Sequence, residues 1–495
     1  MFAPVPALRV NRVNDMPIRE SGSYVLYWMI ACRRTRWSYA LQHAMSRAAA
    51  LGKPLIVLEA LRVGYRWASP RIHRFVMDGM RDHAARFAGT PIAYHAYVEP
   101  EVDHGKGLLE ALAEPAACVV TDEFPDFFLP KMVAAAGRRL NVALEQVDGN
   151  GLLPLRAADK TFIAANHFRR FLQRELPRYL DAAPVEDPLA RAHELPAASV
   201  PRAVLERWPM PSAAALDGSD SSFLAGLPID HAVPVVAYGG GEVAGRAALD
   251  AFLRKKLSLY AEARNEPEQD VSSGLSPYLH FGHTSVHEVM HRVWRREGWT
   301  SDKVAPKPTG SREGWWGLSP EAEAFVDELV TWREIGYNFS FLRPDDHDRW
   351  ESLPEWAKKT LDKHTSDDRP VLYDRRQLEA GRTYDALWNA AQRQLVVEGR
   401  IHNYLRMLWA KKILEWSETP RDALATLIEL NNRWAVDGRD PNSYSGIFWC
   451  FGRFDRPWPP ERQIFGTIRY MSSDNTARKV SVKRYIARWS GPGLL

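Results

Sequence analysis

Five short apolar runs, SYVLYWM (23–29), PLIVLE (54–59), PIAYHAY (91–97), ACVVTD (117–122) and ALEQV (143–147), alternate with helical patterns at 37–50, 72–88, 105–113 and 130–139. A chain that places a helix after each strand has few ways to fold, because the helix must carry it back across the sheet before the next strand pairs. The rhythm predicts an open, mostly parallel sheet covered by helices over residues 1–180. From Asp181 to Val233 it breaks. Ala and Pro dominate there, with Pro184, Pro188, Pro196, Pro201, Pro209, Pro211 and Pro228. Residues 181–240 therefore read as a connector lying over the surface. Beyond Gly245 strand candidates disappear, and 241–495 reads as an all-α domain. No internal repeat is visible.

VPVVAYGGGEVAGRA (233–247) has the look of a strand, a glycine turn and a helix, and GGGEVA fits G-x-G-x-x-A. A dinucleotide fingerprint also needs a following strand that ends near an acid. Here the helix runs on into SLYAEARNEP, so the stretch reads as a turn entering a helix.

With 495 residues, 45% hydrophobic and 25% charged, the chain has the balance of an ordinary globular protein with ample sequence for large cores. No apolar run reaches the length of a membrane span, and MFAPVPALRVNRVND has no apolar signal core. Cys32, Cys118 and Cys450 have no metal-like spacing, so neither a disulfide framework nor a zinc site is indicated, and a reducing cytosol is the expected compartment. The net charge of +4 hides an asymmetry: from Arg453 onward nine Lys/Arg face three acids, a segment charge of +6. Mixed with Trp458, Tyr470, Tyr485 and Trp489, this suits a phosphate backbone plus stacking surfaces. A solvated, snorkelling surface is the other reading.

Several residues in the helical half need an explanation. RMLWAKKILEW (406–416) holds Trp409 and Trp416, and DALWNAAQ places Trp388 shortly before them. Core packing and redox work are both open, since indoles bury a large apolar area in either role. In AEAFVDELVTWREIGYNF the positions Phe325, Glu328, Leu329, Trp332, Ile335 and Phe339 share one helical face. A carboxylate on that stripe is costly without a partner or a task; an arginine at the edge would supply the partner. In RDALATLIELNNRW, Asn431 falls on the apolar stripe with Leu424, Leu427, Ile428 and Trp434, while Asn432 points elsewhere. A buried amide must satisfy both its acceptor and its donors, by bridging helices or by meeting a ligand ring. In RIHNYLRML, Asn403 and Arg406 lie within one turn, and Asp437 of DGRDPN is a suitable anion for the arginine. Finally, QDVSSGLSPYLHFG places Ser272, Ser273, Gly274, Leu275 and Ser276 before Pro277, where hydroxyls and helix-opening amides suit a pyrophosphate.

Together these segments resemble the class II cyclobutane pyrimidine dimer photolyases of the photolyase/cryptochrome family. The resemblance is carried by SGLSPYLHFG, TYDALWNAAQRQ, GRIHNYLRMLWAKKILEW, DGRDPNSYSGIFW and IFGTIRYMS. It extends more weakly to YVLYWM, VVTDEFP and VDGNGLLPLRAADK. It implies a Rossmann-like α/β antenna-binding domain followed by a helical domain that holds FAD. The implied activity is light-driven DNA repair: an electron from excited FADH⁻ splits a pyrimidine dimer flipped out of the DNA and then returns. A damaged pair is poorly stacked, which lowers the cost of flipping it.

By position, Trp388, Trp409 and Trp416 resemble the tryptophan chain that photoreduces the flavin, with the hole moving outward to a solvent-facing indole. Asn431 resembles the asparagine at flavin N5. Asn403, Arg406 and Asp437 resemble flavin-pocket residues, and Tyr260 with Ser272 to Ser276 the phosphate-binding stretch. Glu328 resembles the acid that hydrogen-bonds the dimer carbonyl, Trp332 and Trp449 the residues that clasp the dimer, and Arg469 an arginine beside the opened duplex. The N-terminal half departs most, as in RRTRWSYAL and NHFRRFLQREL, which bears on the antenna; a deazaflavin is the family expectation. The expected partner is dimer-containing DNA, met in the cytosol by a monomer without a membrane anchor. A cryptochrome-like photoreceptor without repair is the alternative, and Glu328, Trp332 and Trp449 weigh against it. A non-catalytic nucleic-acid binder leaves Asn431 and the pyrophosphate-like turn unexplained.

Overall fold

The computed structural model describes residues 4–490. Its six strands are β1 (Val10–Arg12), β2 (Tyr24–Met29), β3 (Leu55–Leu61), β4 (Ala93–Val98), β5 (Ala116–Glu123) and β6 (Leu144–Asp148). They form one sheet in the order β1-β6-β5-β2-β3-β4, parallel throughout except for β1, which runs antiparallel to β6. All five strands read from the sequence are present, and the β–α alternation holds through the helices Tyr39–Leu51, Pro70–Phe87, Leu108–Ala113 and Leu129–Arg139. Every residue of β2 and of β5 is buried, as expected of central parallel strands covered on both faces. The short edge strand β1 gives no such signal, since its three residues are half-buried or exposed. Strand order reverses between β2 and β5. At their carboxyl ends the Asp122 carboxylate accepts the backbone N–H groups of Ile30, Ala31 and Cys32 at 2.8–2.9 Å.

By packing, the chain divides into two compact units: 4–157, 176–249 and 275–296 in the first, and 158–175, 250–274 and 297–490 in the second. The division does not follow the linear boundaries at 180 and 240. Residues 181–240 pack with the sheet unit through short helical turns at Pro188–Glu194, Arg202–Arg207, Ala213–Asp217 and Ser221–Ala225. They bury Leu189, Leu195, Val204 and Trp208 and return backbone hydrogen bonds to Pro91 and Ala68. A proline-rich composition marks the absence of long regular elements, not the absence of packing. GGGEVA opens the helix Gly241–Lys255, as read from the sequence.

The second unit is helical. Its site-bearing helices are Pro320–Val326, Arg333–Leu342, Ala386–Glu398, Asn403–Trp416, Pro420–Trp434 and Pro441–Cys450. Their starts are written locally: Asp385, Thr419 and Asp440 accept the N–H of Trp388, Asp422 and Ser443, and Pro420 and Pro441 occupy the first turn. Two glycines permit close approach. A Cβ on Gly336 would stand 2.7 Å from the carbonyl oxygen of Pro441, and one on Gly438 2.8 Å from that of Asn431.

Candidate active site

Between Pro320–Val326 and Arg333–Leu342 the helix carries an extra residue. Asp327–Trp332 is a π-helical turn, and the Arg333 N–H reaches the Glu328 carbonyl five residues back. The regular-helix stripe expected from the sequence is corrected here. Phe325, Leu329, Ile335 and Phe339 are buried, whereas Glu328 and Trp332 are both part-exposed. An added residue shifts the helical phase and turns these two side chains out of the apolar stripe.

Glu328 pairs with Arg264, Oε1 to Nη1 at 3.0 Å, so the arginine partner open in the sequence is found. Burial and the neighbouring Asp327 charge raise the Glu328 pKa, while Arg264 pulls it down; the net direction is upward. The Trp332 ring meets that of Trp449 with centroids 5.7 Å apart. The Arg469 guanidinium lies 5.6 Å from the Trp449 ring and 4.1 Å from that of Trp458, with its Nε donating to Asp455 at 3.1 Å. A cation held between two indoles and pinned by a carboxylate is a rigid planar group. Asp455 and Trp458 complete this wall. Trp458 was visible in the sequence only as part of a basic, aromatic segment, and Asp455 only as one of its few acids.

Asn431 and Asn432 are both buried, at 4% and 0% exposure. The Asn431 amide donates to Asn432 Oδ1 at 3.1 Å and to Ser443 Oγ at 2.7 Å. Asn432 in turn donates to the Tyr444 hydroxyl at 2.9 Å and accepts the Arg439 N–H at 3.1 Å. With both N–H groups engaged, Asn431 has its carbonyl oxygen left to offer. Arg406 Nη2 stands 3.5 Å from Asp437 Oδ2, and the other carboxylate oxygen of Asp437 is buried with no protein donor. His402, just before Asn403, is buried with neither ring nitrogen partnered. Burial lowers its pKa to about 4, so the imidazole is neutral near pH 7. Unpartnered buried polar atoms such as these fit a polar ligand better than an apolar core.

In the phosphate-like stretch, Ser272 Oγ donates to Asp270 Oδ1 at 2.6 Å, Lys256 Nζ donates to the Ser272 carbonyl at 3.3 Å, and Gly274 has φ +69° with open space beside it. Arg400 binds Asp270 at 2.9 Å. Burial alone would raise the Asp270 pKa, but the Arg400 charge and hydrogen bonds outweigh it and hold the carboxyl at about 2. Sequence reasoning missed Arg400, although it stands in GRIHNYLRM. Leu275 and Ser276 fall in the first unit, where Ser276 opens the short helix Ser276–His280. Tyr260 packs edge-on against Phe252 and Phe325, with the Arg264 guanidinium 5.9 Å from its ring.

The three tryptophans are fully buried, at 0%, 2% and 0% exposure for Trp388, Trp409 and Trp416, so none of them faces solvent as expected. Trp388 lies between the other two: its Nε1 donates to the Trp409 carbonyl at 3.0 Å, and its ring meets Trp416 edge-on at 5.4 Å. Trp409 Nε1 donates to Gln392 at 2.9 Å. Trp416 touches Tyr373 and Tyr384, centroids 5.3 and 5.6 Å away, and Tyr384 is 64% exposed. The aromatic contact that reaches solvent is a tyrosine.

No protein-family model matches the chain. The deoxyribodipyrimidine photo-lyase of Methanothermobacter thermautotrophicus is 34% identical over 488 residues, covering 98% of this chain and 99% of that protein. Proteins of the same name from Oryza sativa and Potorous tridactylus are 35% and 32% identical over 94% and 96% of this chain and 88% and 83% of their own length. The crystal structure of a bacterial class III photolyase from Agrobacterium tumefaciens superposes with a TM-score of 0.66 at 19% identity, over 94% of this chain and 86% of that one, and shares the fold. With relatives this similar along nearly its whole length, the chain belongs to the deoxyribodipyrimidine photo-lyase family.

Proposed function

We propose that this protein is a light-dependent DNA-repair lyase that splits cyclobutane pyrimidine dimers, of the class II type, with the helical unit as its catalytic part. The observation that carries this reading is the meeting of Trp332, Trp449 and Arg469 beside the π-turn that also presents Glu328. Two indoles offer stacking faces to a flipped, poorly stacked dimer, and Arg469 offers a flat cation to the opened duplex. The test is light-dependent loss of thymine dimers from an oligonucleotide, with a dark control. A photoreceptor without repair would leave the dimers intact.

FAD is the cofactor that membership of the family implies. The residues present fit it: Asp437 and His402 carry unpartnered buried polar atoms, Arg406 stands 3.5 Å from Asp437, Asn431 has a carbonyl oxygen to offer, and Lys256, Ser272, Ser273 and Gly274 suit the pyrophosphate. When bound and fully reduced, FAD supplies the electron under illumination, while the protein supplies position, dryness and charge. We assign Asn431 to the N5 edge, where its carbonyl oxygen accepts a proton-bearing nitrogen. Asn431→Leu should then lower the reduction midpoint of bound FAD while the FAD-to-protein ratio stays normal. A spectroelectrochemical titration reads this, and an unchanged midpoint refutes the assignment. The sheet unit is assigned to a deazaflavin antenna on resemblance alone. The chain is assigned as a monomer acting in the cytosol; among the described residues no helix is long and apolar enough to cross a membrane.

Glu328 is assigned as a proton-bearing donor to the dimer carbonyl as charge develops there. Its pKa is raised, so the donor form is present below that pKa and is lost as pH rises through it. Repair yield should therefore fall on the alkaline side in the wild type. Glu328→Gln keeps an N–H donor and should flatten that limb, whereas Glu328→Ala should lower yield at every pH with FAD content unchanged. Full repair yield in Glu328→Ala would make Glu328 structural. Arg469→Ala should weaken binding to damaged duplex more than to damaged single strands, measured by titration in the dark. Equal losses would reduce the arginine to a phosphate contact.

A further inference from the structure

Asp327 opens the π-turn, and its carboxylate takes both Nε and Nη2 of Arg169, at 2.7 and 2.9 Å. Both side chains are under 10% exposed. Arg169 belongs to the helix Ala165–Glu175, 158 positions away in sequence. That helix is itself fastened to the 309–311 loop. Asn166 donates to the Gly310 carbonyl at 3.0 Å, Gln173 donates to the Ser311 carbonyl at 2.9 Å, and the Gly310 N–H returns to Gln173 at 2.7 Å. The guanidinium is thus delivered as a fixed fork whose geometry sets the direction of the carboxylate it meets.

A buried ion pair adds little net stability, because desolvation cancels most of its attraction. A π-turn is likewise a poor choice for stability, since it gives up regular helical bonding, and such turns are found mostly at functional sites. Here the two features coincide at one residue, and the turn between them is the one that carries Glu328 and Trp332.

We infer that Arg169 and Asp327 are positioning residues, whose bidentate pair holds the π-turn open so that Glu328 and Trp332 are presented together to the pyrimidine dimer. This rests on the reading of Trp332 as a dimer-contacting residue. The pair neutralises Asp327 and prevents the turn from relaxing to an α-helix, which would rotate both side chains back toward the apolar stripe.

The experiment measures dark binding of two single-stranded oligonucleotides, one with a single thymine dimer and one undamaged, together with melting temperature and FAD content. The variants are Arg169→Met/Asp327→Leu, which fills the pair with apolar groups of similar size, and Trp332→Ala. The double variant should keep its melting temperature and FAD content yet lose about tenfold or more in discrimination between the oligonucleotides. Adding Trp332→Ala to it should cost much less than in the wild type, because the indole is already misplaced. Wild-type discrimination in the folded double variant overturns the inference. An unchanged discrimination in Trp332→Ala alone overturns the underlying reading of Trp332, a distinct failure. Should the double variant not fold, Arg169→Lys keeps the charge and gives up the fork. A loss of about tenfold there supports the inference, and unaltered discrimination overturns it.

Discussion

Replacing Trp388 with Phe should nearly abolish light-driven reduction of oxidised FAD while leaving dimer repair by chemically reduced enzyme intact. The expectation follows from where Trp388 stands. It hydrogen-bonds the Trp409 backbone and meets the Trp416 ring, so it is the middle of the three. Trp409 and Trp416 are seven residues apart on one helix, about 10 Å of rise, and without the middle indole the route between them is broken. Phe keeps most of the buried area, so stability should fall by only about 1–3 kcal/mol. Repair draws its electron from the reduced cofactor and not from the tryptophans, which is why the two activities should part. Trp409→Phe and Trp416→Phe should also slow photoreduction. The measurement pairs photoreduction rate with repair yield on the same samples. Normal photoreduction in all three variants would return these indoles to core packing alone.

The second large effect is expected at Trp449. Its ring stands against both Trp332 and the Arg469 guanidinium, so truncation removes a stacking face and loosens two neighbours. Base–aromatic stacking is worth about 1–3 kcal/mol per base, which converts to roughly 5- to 150-fold in affinity. Trp449→Ala should lose affinity in that range for dimer-containing DNA and far less for undamaged strands, read by dark titration at fixed salt. Because stacking needs a flat face more than an indole, Trp449→Phe should recover part of the loss. A uniform loss on both substrates would make Trp449 a general single-strand contact with no part in recognising damage.

What the sequence determined by itself was whatever is written locally. The five parallel strands show as apolar runs because both faces of a parallel sheet are buried, and helix starts show as Asp385, Thr419 and Asp440 because a cap acts within three residues. Candidate site residues were legible for a similar reason: by regular periodicity Glu328 and Asn431 read as polar groups on apolar stripes, and Arg406 with Asp437 reads as an ion pair. The tertiary structure decided everything that depends on distant segments meeting. Asn432, set off the apolar stripe by regular periodicity, is buried because Tyr444 and Arg439 satisfy its amide. Arg400 neutralises Asp270 across 130 positions, and Arg169 reaches Asp327 across 158. The π-turn was invisible for a different reason. A helical wheel assumes one residue every 100°, and DELVTW has nothing in its composition to announce an extra one. Only packing against a fixed partner makes that turn worth keeping, and the partner lies far away in the chain.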